Sequence, residues 1–407
     1  MILSFRAFWW IALASNVAAG AQGVAVAWYL GDENLPASVL VAFQLSSVVS
    51  GLFGIATGSA MARRLGPMRT VSIALLLEAS LCVAVAFIAL APHGAFDAAQ
   101  AYATALTAGA GISFAAGVGG PSWVAIVSRW PGSTDEKTQL LRDNAQFQLG
   151  RFVGPLIGGW VLVITVFSVQ WLAAVNALSF VMVAWIFWSS RLKGEAAPAT
   201  SGRSSGRSPL AVGKIMRDPA VWAFVTVAMT ADTIRTFLPR LIRLAGEPEW
   251  VFVGTLALLA LSAAAGGALS GRFLPSDRVV AAYALLGITL SIATWSAAVV
   301  VPGPTMWMLG GAFMGISVAL VTVALTKILM DAQPAASRAR GAALAMGART
   351  VGSAAGGVIA GATLALFGGL TFVPFAVLPV LAALALRARK SAHVDGDGDR
   401  VALDVEA

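Results

Sequence analysis

The sequence predicts an all-α polytopic membrane protein with twelve transmembrane helices arranged as two parallel six-helix repeats. The first observation is composition. The chain is 58% hydrophobic and only 11% charged over 407 residues, where a soluble domain carries about a quarter charged residues. Apolar runs of about 18 residues or more recur along it, each long enough to cross a bilayer as a helix. The second is charge placement. With both termini on one side, that side collects Arg6, Arg63, Arg64, Arg69, Arg129, Lys137, Arg142, Arg272, Arg278, Lys327, Arg338, Arg340 and Arg387–Lys390. The opposite turns hold Asp32, Glu33, Asp97, Glu247 and Glu249, with only Arg240 and Arg243 nearby. This asymmetry places both termini in the cytoplasm. The third is internal likeness: Gly58, Arg63, Leu65, Arg69 and Val71 repeat at one offset as Gly267, Arg272, Leu274, Arg278 and Val280. Arg151, Gly154, Gly158 and Gly159 likewise repeat as Arg349, Gly352, Gly356 and Gly357, again between equivalent spans.

Taken in order, the first span covers 7–30. Its run is too long for a cleaved signal peptide and lacks a polar cleavage region, so it reads as a retained helix carrying Asn16 and Gln22. An acidic turn leads to the second span (37–60), a basic connector to the third (67–91, containing Glu78), and a turn with His93 and Asp97 to the fourth (98–128). Pro121 is expected to break that helix in its second half. Ser133 and Glu136 have capping-box spacing and start a helix that enters the fifth span, which ends near Val166. The sixth covers 169–190. Six more follow at 219–243, 250–271, 279–301, 304–330, 338–367 and 369–388. The resulting units are an N-terminal bundle (1–190), a basic Ser/Gly/Pro-rich cytoplasmic linker (191–217), a C-terminal bundle (218–390) and an acidic disordered tail (391–407).

Composition also narrows the chemistry. Cys82 is the one cysteine, which excludes an internal disulfide and a cysteine metal cage. The two histidines, His93 and His393, lie outside the spans. No metal site and no cofactor is expected. In the tail, Asp395, Asp397, Asp399 and Glu406 imitate a calcium-loop spacing, but Arg400 stands where glycine is required. The net charge of +8 follows membrane topology rather than nucleic-acid binding. A membrane-embedded transferase would need an intramembrane histidine or paired carboxylates, and the spans contain neither.

The fifth span, Asn144–Gly159, is the densest stretch. Gly150, Gly154 and Gly158 recur every fourth residue along one helical face, where small residues allow another backbone to approach. That face is expected to seal one mouth of a cavity by packing on a helix of the other half. Arg151 shares the side, and Pro155 leaves its carbonyl without an N–H donor. A charge at this depth needs a partner or a wet cavity. Arg151 reads either as a structural tie or as a cavity residue attracting an anion, and its repeat mate Arg349 reads the same way. Asp232 lies midway along the seventh span with Arg235 one turn on. The pair is either a self-neutralising ion pair or a proton carrier with its counter-ion. Glu78 is the alternative proton-coupling carboxylate, or else the structural partner of an arginine. Asn16, Gln22, Gln44, Gln146 and Gln148 are cavity hydrogen-bonders or interhelical ties. Trp28, near an outer helix end, reads as an interface anchor.

Gly150-x-x-x-Gly154-Pro155-x-x-Gly158-Gly159 resembles the antiporter signature of the drug–proton exporters of the major facilitator superfamily. Gly58-Ser-Ala-Met-Ala62-Arg63-Arg64-Leu65-Gly66-Pro-Met-Arg69 resembles that superfamily's loop motif after span two, with Ala62 where an acidic residue is usual. Pro121-Ser122, Arg151 beside Gly154-Pro155, and Asn176-Ala-Leu-Ser-Phe180 are similar to the enterobactin-exporter-like, transmembrane-secretion-effector branch, which includes macrolide-efflux-like proteins. The resemblance covers the chain to about residue 388. It implies a monomeric bacterial inner-membrane carrier without enzymatic activity, with a site near midplane between its halves. It further implies proton-coupled export of a siderophore or lipophilic drug by alternating access. The alternatives are a facilitator or importer and, in a different class, a non-transporting membrane sensor.

Overall fold

Among the described residues the helical segments join into twelve rods. The computed structural model describes residues 4–32, 34–89, 98–128, 130, 136–164, 168–189, 218–270, 277–301, 303–331, 338–370 and 372–387. The expected linker (191–217) and tail (391–407) lie outside the described residues. The rods are α1 (Phe5–Leu30), α2 (Ser38–Leu65), α3 (Pro67–Ile88) and α4, made of Ala98–Leu106, a π-helical turn Thr107–Ile112 and Ser113–Ser128. Next come α5 (Glu136–Ile164), α6 (Ser168–Ser189) and α7, made of Pro219–Val227, a second π-helical turn Ala228–Asp232 and Thr233–Leu244. The last are α8 (Glu249–Ser270), α9 (Asp277–Val300), α10 (Pro304–Asp331), α11 (Arg338–Phe367) and α12 (Val373–Arg387). Among the described residues nine helices are long and apolar enough to cross a membrane: all of these except α5, α11 and α12.

Local sequence sets the ends. Ser4 caps α1, accepting from the Ala7 N–H at 3.3 Å, and Asp218 caps α7 through the Ala220 N–H at 3.0 Å with Pro219 in the first turn. Gly66, at φ 83°, turns the chain sharply from α2 into α3. Within helices, hydroxyls fold back onto the preceding turn, as Ser59 onto Ile55, Ser72 onto Met68 and Thr255 onto Val251. This satisfies them without water. Large apolar side chains cover the outer surface, with Trp185 69% and Leu366 76% exposed. A soluble protein would bury such groups, whereas lipid favours them.

Packing repeats between two groups of six. In the first, α1 lies on α5, α2 on α4 and α3 on α6; in the second, α7 lies on α11, α8 on α10 and α9 on α12. The groups meet where α2 touches α11 and α5 touches α8, with α1 against α7 between them. Exchanging the groups maps the α2–α11 contact onto α5–α8 and the α1–α7 contact onto itself, as expected of two parallel repeats.

One expectation fails here. Pro121 does not break α4, since the helix runs through it from Ser113 to Ser128. The irregular turn comes earlier, at Thr107–Ile112. Gly117, one turn before the proline, lies directly against Gly51 and Gly54 of α2.

Candidate functional site

The glycine ladder of α5 makes its closest contacts with α1. A Cβ on Gly154 would collide with the Val17 carbonyl, one on Gly158 would lie 2.5 Å from the Ala21 oxygen, and one on Gly20 would lie 2.9 Å from the Gly150 oxygen. This corrects the expectation that the glycine face meets the other half. Gly159 does so instead, 3.2 Å from Leu256 of α8 at a built Cβ. The reason is angular: one residue turns the helix by about 100°. The second group repeats the device, with Gly352 against the Val225 carbonyl and Gly356 against Met229 and Thr233 of α7. Small residues thus bind each first helix to its fifth, backbone to backbone.

The seam between the groups carries polar contacts from midway toward the end that holds the α1–α2 and α7–α8 turns. Gln44 of α2 donates to the Ser353 carbonyl of α11 at 2.9 Å and accepts from Thr236 of α7 at 3.1 Å. Arg240 donates to the carbonyls of Asp32 (3.3 Å) and Leu35 (2.9 Å). Arg243 pairs with Asp32 at 3.6 Å and lies 4.0 Å over the Trp28 ring, which stacks on Phe252 with centroids 4.9 Å apart. Trp28 therefore bridges the groups. Between partly exposed groups (Arg243 20%, Asp32 31%) the ion pair and the cation–π contact contribute about 1 kcal/mol each. Arg243→Gln is expected to shift the closed-to-open ratio of this end toward open by roughly thirtyfold. Distances between spin labels on Asn34→Cys and Leu244→Cys measure it; an unchanged distribution refutes the latch.

Asp232 closes the π-helical turn of α7, one residue before Thr233, which packs on Gly356, and one turn before Thr236 of the seam. The side chains of Asp232, Arg235, Arg151 and Gln148 lie outside the described residues. Arg349 is half-buried on α11, one turn before Ser353.

Other nominated residues divide differently. Gln22 is not a cavity residue: it is buried between α1, α3 and α6, accepting from Asn176 and, at 3.2 Å, from Cys82. Ser15 and Ser179 extend this cluster at 3.1 Å. Glu78, one turn from Cys82, is also buried, and among the described residues it has no ion-pair or hydrogen-bond partner. The reading of Glu78 as an arginine's partner is therefore corrected. Asn16 lies between α1 and α5 and donates to Gln146 at 2.9 Å. Gly58 packs on Val118 of α4, while Arg63 and Arg69 are exposed beside the Gly66 turn.

Sequence reasoning passed over Asp143. It lies in a hydrophilic stretch that reads as an interfacial helix start, yet its carboxylate faces inward, accepting from Trp123 of α4 and from Gln146. The available signal was its spacing: Gln146 follows it by one helical turn.

The sequence matches the family description Major Facilitator Superfamily over residues 8–293. No curated protein matches it significantly. Among solved structures, it is similar to a D-xylose–proton symporter (12% identity, TM-score 0.69, covering 93% of this chain and 96% of that one). It is also similar to the nucleoside transporter NupG (13%, TM-score 0.64, covering 93% and 98%). A third is the inward-open xylose transporter XylE from E. coli (14%, TM-score 0.63, covering 94% and 96%). At such identities the likeness concerns fold. Together with the family match over most of the helical region, it places the chain in the Major Facilitator Superfamily.

Proposed function

We propose that this carrier exports a small organic solute in exchange for protons across a bacterial inner membrane, with both termini cytoplasmic. Membership of the superfamily itself makes the chain a multi-pass membrane transporter of small solutes, a carrier rather than an enzyme, usually working as a single chain. The finer reading takes 1–190 and 218–390 as two rocking bundles joined by a linker, twelve crossings in all. The observation that carries it is the position of Asp232, at the end of a π-helical turn beside the seam where α7 meets α2 and α11. Such turns are frequent at functional sites, and an intramembrane carboxylate there is suited to bind protons. The likeness of the α5 pattern to the antiporter signature supports export. Arg151, Arg235 and Arg349 would favour an anionic or catecholate-like solute, and a lipophilic drug such as a macrolide is the second substrate class. Glu78 is the alternative proton carrier, and its lack of a cationic partner among the described residues supports that role.

A second reading, proton-driven import or facilitated diffusion, draws on the likeness to the D-xylose–proton symporter. Proteoliposomes containing the full chain, screened with siderophores and macrolides under an imposed pH gradient, separate the readings. Solute-triggered proton movement in the opposite direction to the solute supports exchange. Movement in the same direction establishes symport, solute movement without protons a facilitator, and neither movement in folded protein a sensor.

A further inference from the structure

A carboxylate buried in a membrane bundle normally has a cation beside it. Asp143, part-buried near the start of α5, has hydrogen-bond donors instead among the described residues. The Trp123 indole N–H is shared between its oxygens, at 3.1 Å to Oδ1 and 3.2 Å to Oδ2, and Gln146 Nε2 donates to Oδ1 at 3.0 Å. Gln146 is 1% exposed and accepts in turn from Asn16 Nδ2 at 2.9 Å. One carboxylate thus ties α4, α5 and α1 together. Trp123 continues the connection, with its ring 5.3 Å from Phe8 of α1 and 5.6 Å from Phe187 of α6.

The charged and titratable groups around it are few. On α5, Arg142 is exposed, and only its carbonyl faces inward, accepting from the Trp9 indole at 2.9 Å. Arg151 lies two turns on, with its side chain outside the described residues, as are those of Glu136 and Lys137. On α1 the nearest ionisable residue is Arg6, which is exposed; α4 has only Tyr102, at its far end; α6 has none; α8 has only Glu249, at the opposite end.

The donors fit the ionised carboxylate. Protonation adds an O–H donor at one oxygen, and neither an indole N–H nor an amide N–H can accept it. Trp123 must then keep a single bond, or the Gln146 amide must rotate so that its oxygen accepts. Rotation withdraws that oxygen from Asn16, whose Cβ lies against Gly150 in the α1–α5 contact. Binding a proton therefore loosens the hold of α4 on α5 by the first route and, where the amide rotates, also that of α1.

We propose that Asp143 is a second proton-binding site, separate from Asp232, through which protonation resets the α1–α4–α5 junction at the cytoplasmic end of the N-terminal bundle. This rests on the proton-coupled reading above for its role in transport, but not for proton binding itself. The full-length protein in nanodiscs is labelled with 5-fluorotryptophan, and the Trp123 resonance is assigned by Trp123→Phe. The expected result is one protonation step in that resonance as pH is varied without substrate, lost in Asp143→Asn. Asp143→Glu keeps a titrating carboxyl and is expected to retain the step at a displaced midpoint, so a poorly folding Asn variant does not remove the test. A Trp123 resonance that ignores pH in the wild type, or titrates identically in all three proteins, overturns the proposal. The flux assay is a separate arm. A titrating Trp123 in protein that moves no protons supports the site while defeating exchange, and a silent Trp123 in protein that exchanges protons does the reverse.

Discussion

Asp232→Asn is expected to reduce proton-driven export to the level of empty liposomes, while the protein still folds and still binds its solute. Asn has the shape of Asp but cannot carry a proton. The backbone at this position is fixed on both sides: Ala228–Asp232 forms the π-helical turn, and Thr233 next to it fills the space against Gly356. A residue of the same size leaves that packing alone, so the loss falls on coupling. Solute counterflow, which needs alternating access but no net proton movement, is expected to survive. Export that continues against a gradient in Asp232→Asn would remove Asp232 from the mechanism and shift attention to Glu78.

Gly154→Leu is expected to prevent assembly of the N-terminal bundle. Overpacking in a side-chain core costs about 1–3 kcal/mol because neighbours can shift rotamers. Here the neighbours are the Val17 carbonyl and the backbones of Gly20 and Ala21, which cannot move without separating α1 from α5 along their length. The cost is therefore at the top of that range or above it. The readout is yield of monodisperse protein and its melting temperature in detergent. Gly23→Leu is the control, because a Cβ there meets nothing within 4 Å. Equal yields for the two variants would show that the α1–α5 contact is not what holds the bundle.

Much of the architecture was legible because lipid imposes simple rules. Every span must be a helix, loop cations mark one side, and small residues mark close contacts, so the twelve helical segments and the repeat were within reach. Partners were less legible. The α5 glycines announced a backbone contact, but whether α1 or α8 made it depended on about 100° of helix rotation, which spacing alone does not orient. Trp28 carries the composition of an interface anchor, and only the approach of α7 and α8 put Arg243 and Phe252 on its faces.

The same distinction applies to the polar residues. The sequence by itself determined the solvent, the helices, the orientation expected from charge and the expectation of costly groups within the spans: Asp232, Glu78, Arg151. Those follow from composition and spacing, because burial in hydrocarbon penalises a charge wherever its neighbours lie. The tertiary structure alone decided which group meets which. It turned Gln22 inward to Asn176 and Cys82, left Glu78 without a cation among the described residues, joined Gln44 to Thr236 and Ser353, and brought Trp123 to Asp143. These pairings join helices distant in sequence, and a hydrogen bond forms only within about 3 Å and in line. Helix rotation and register set that geometry, and in a bundle both are fixed by all the contacts at once.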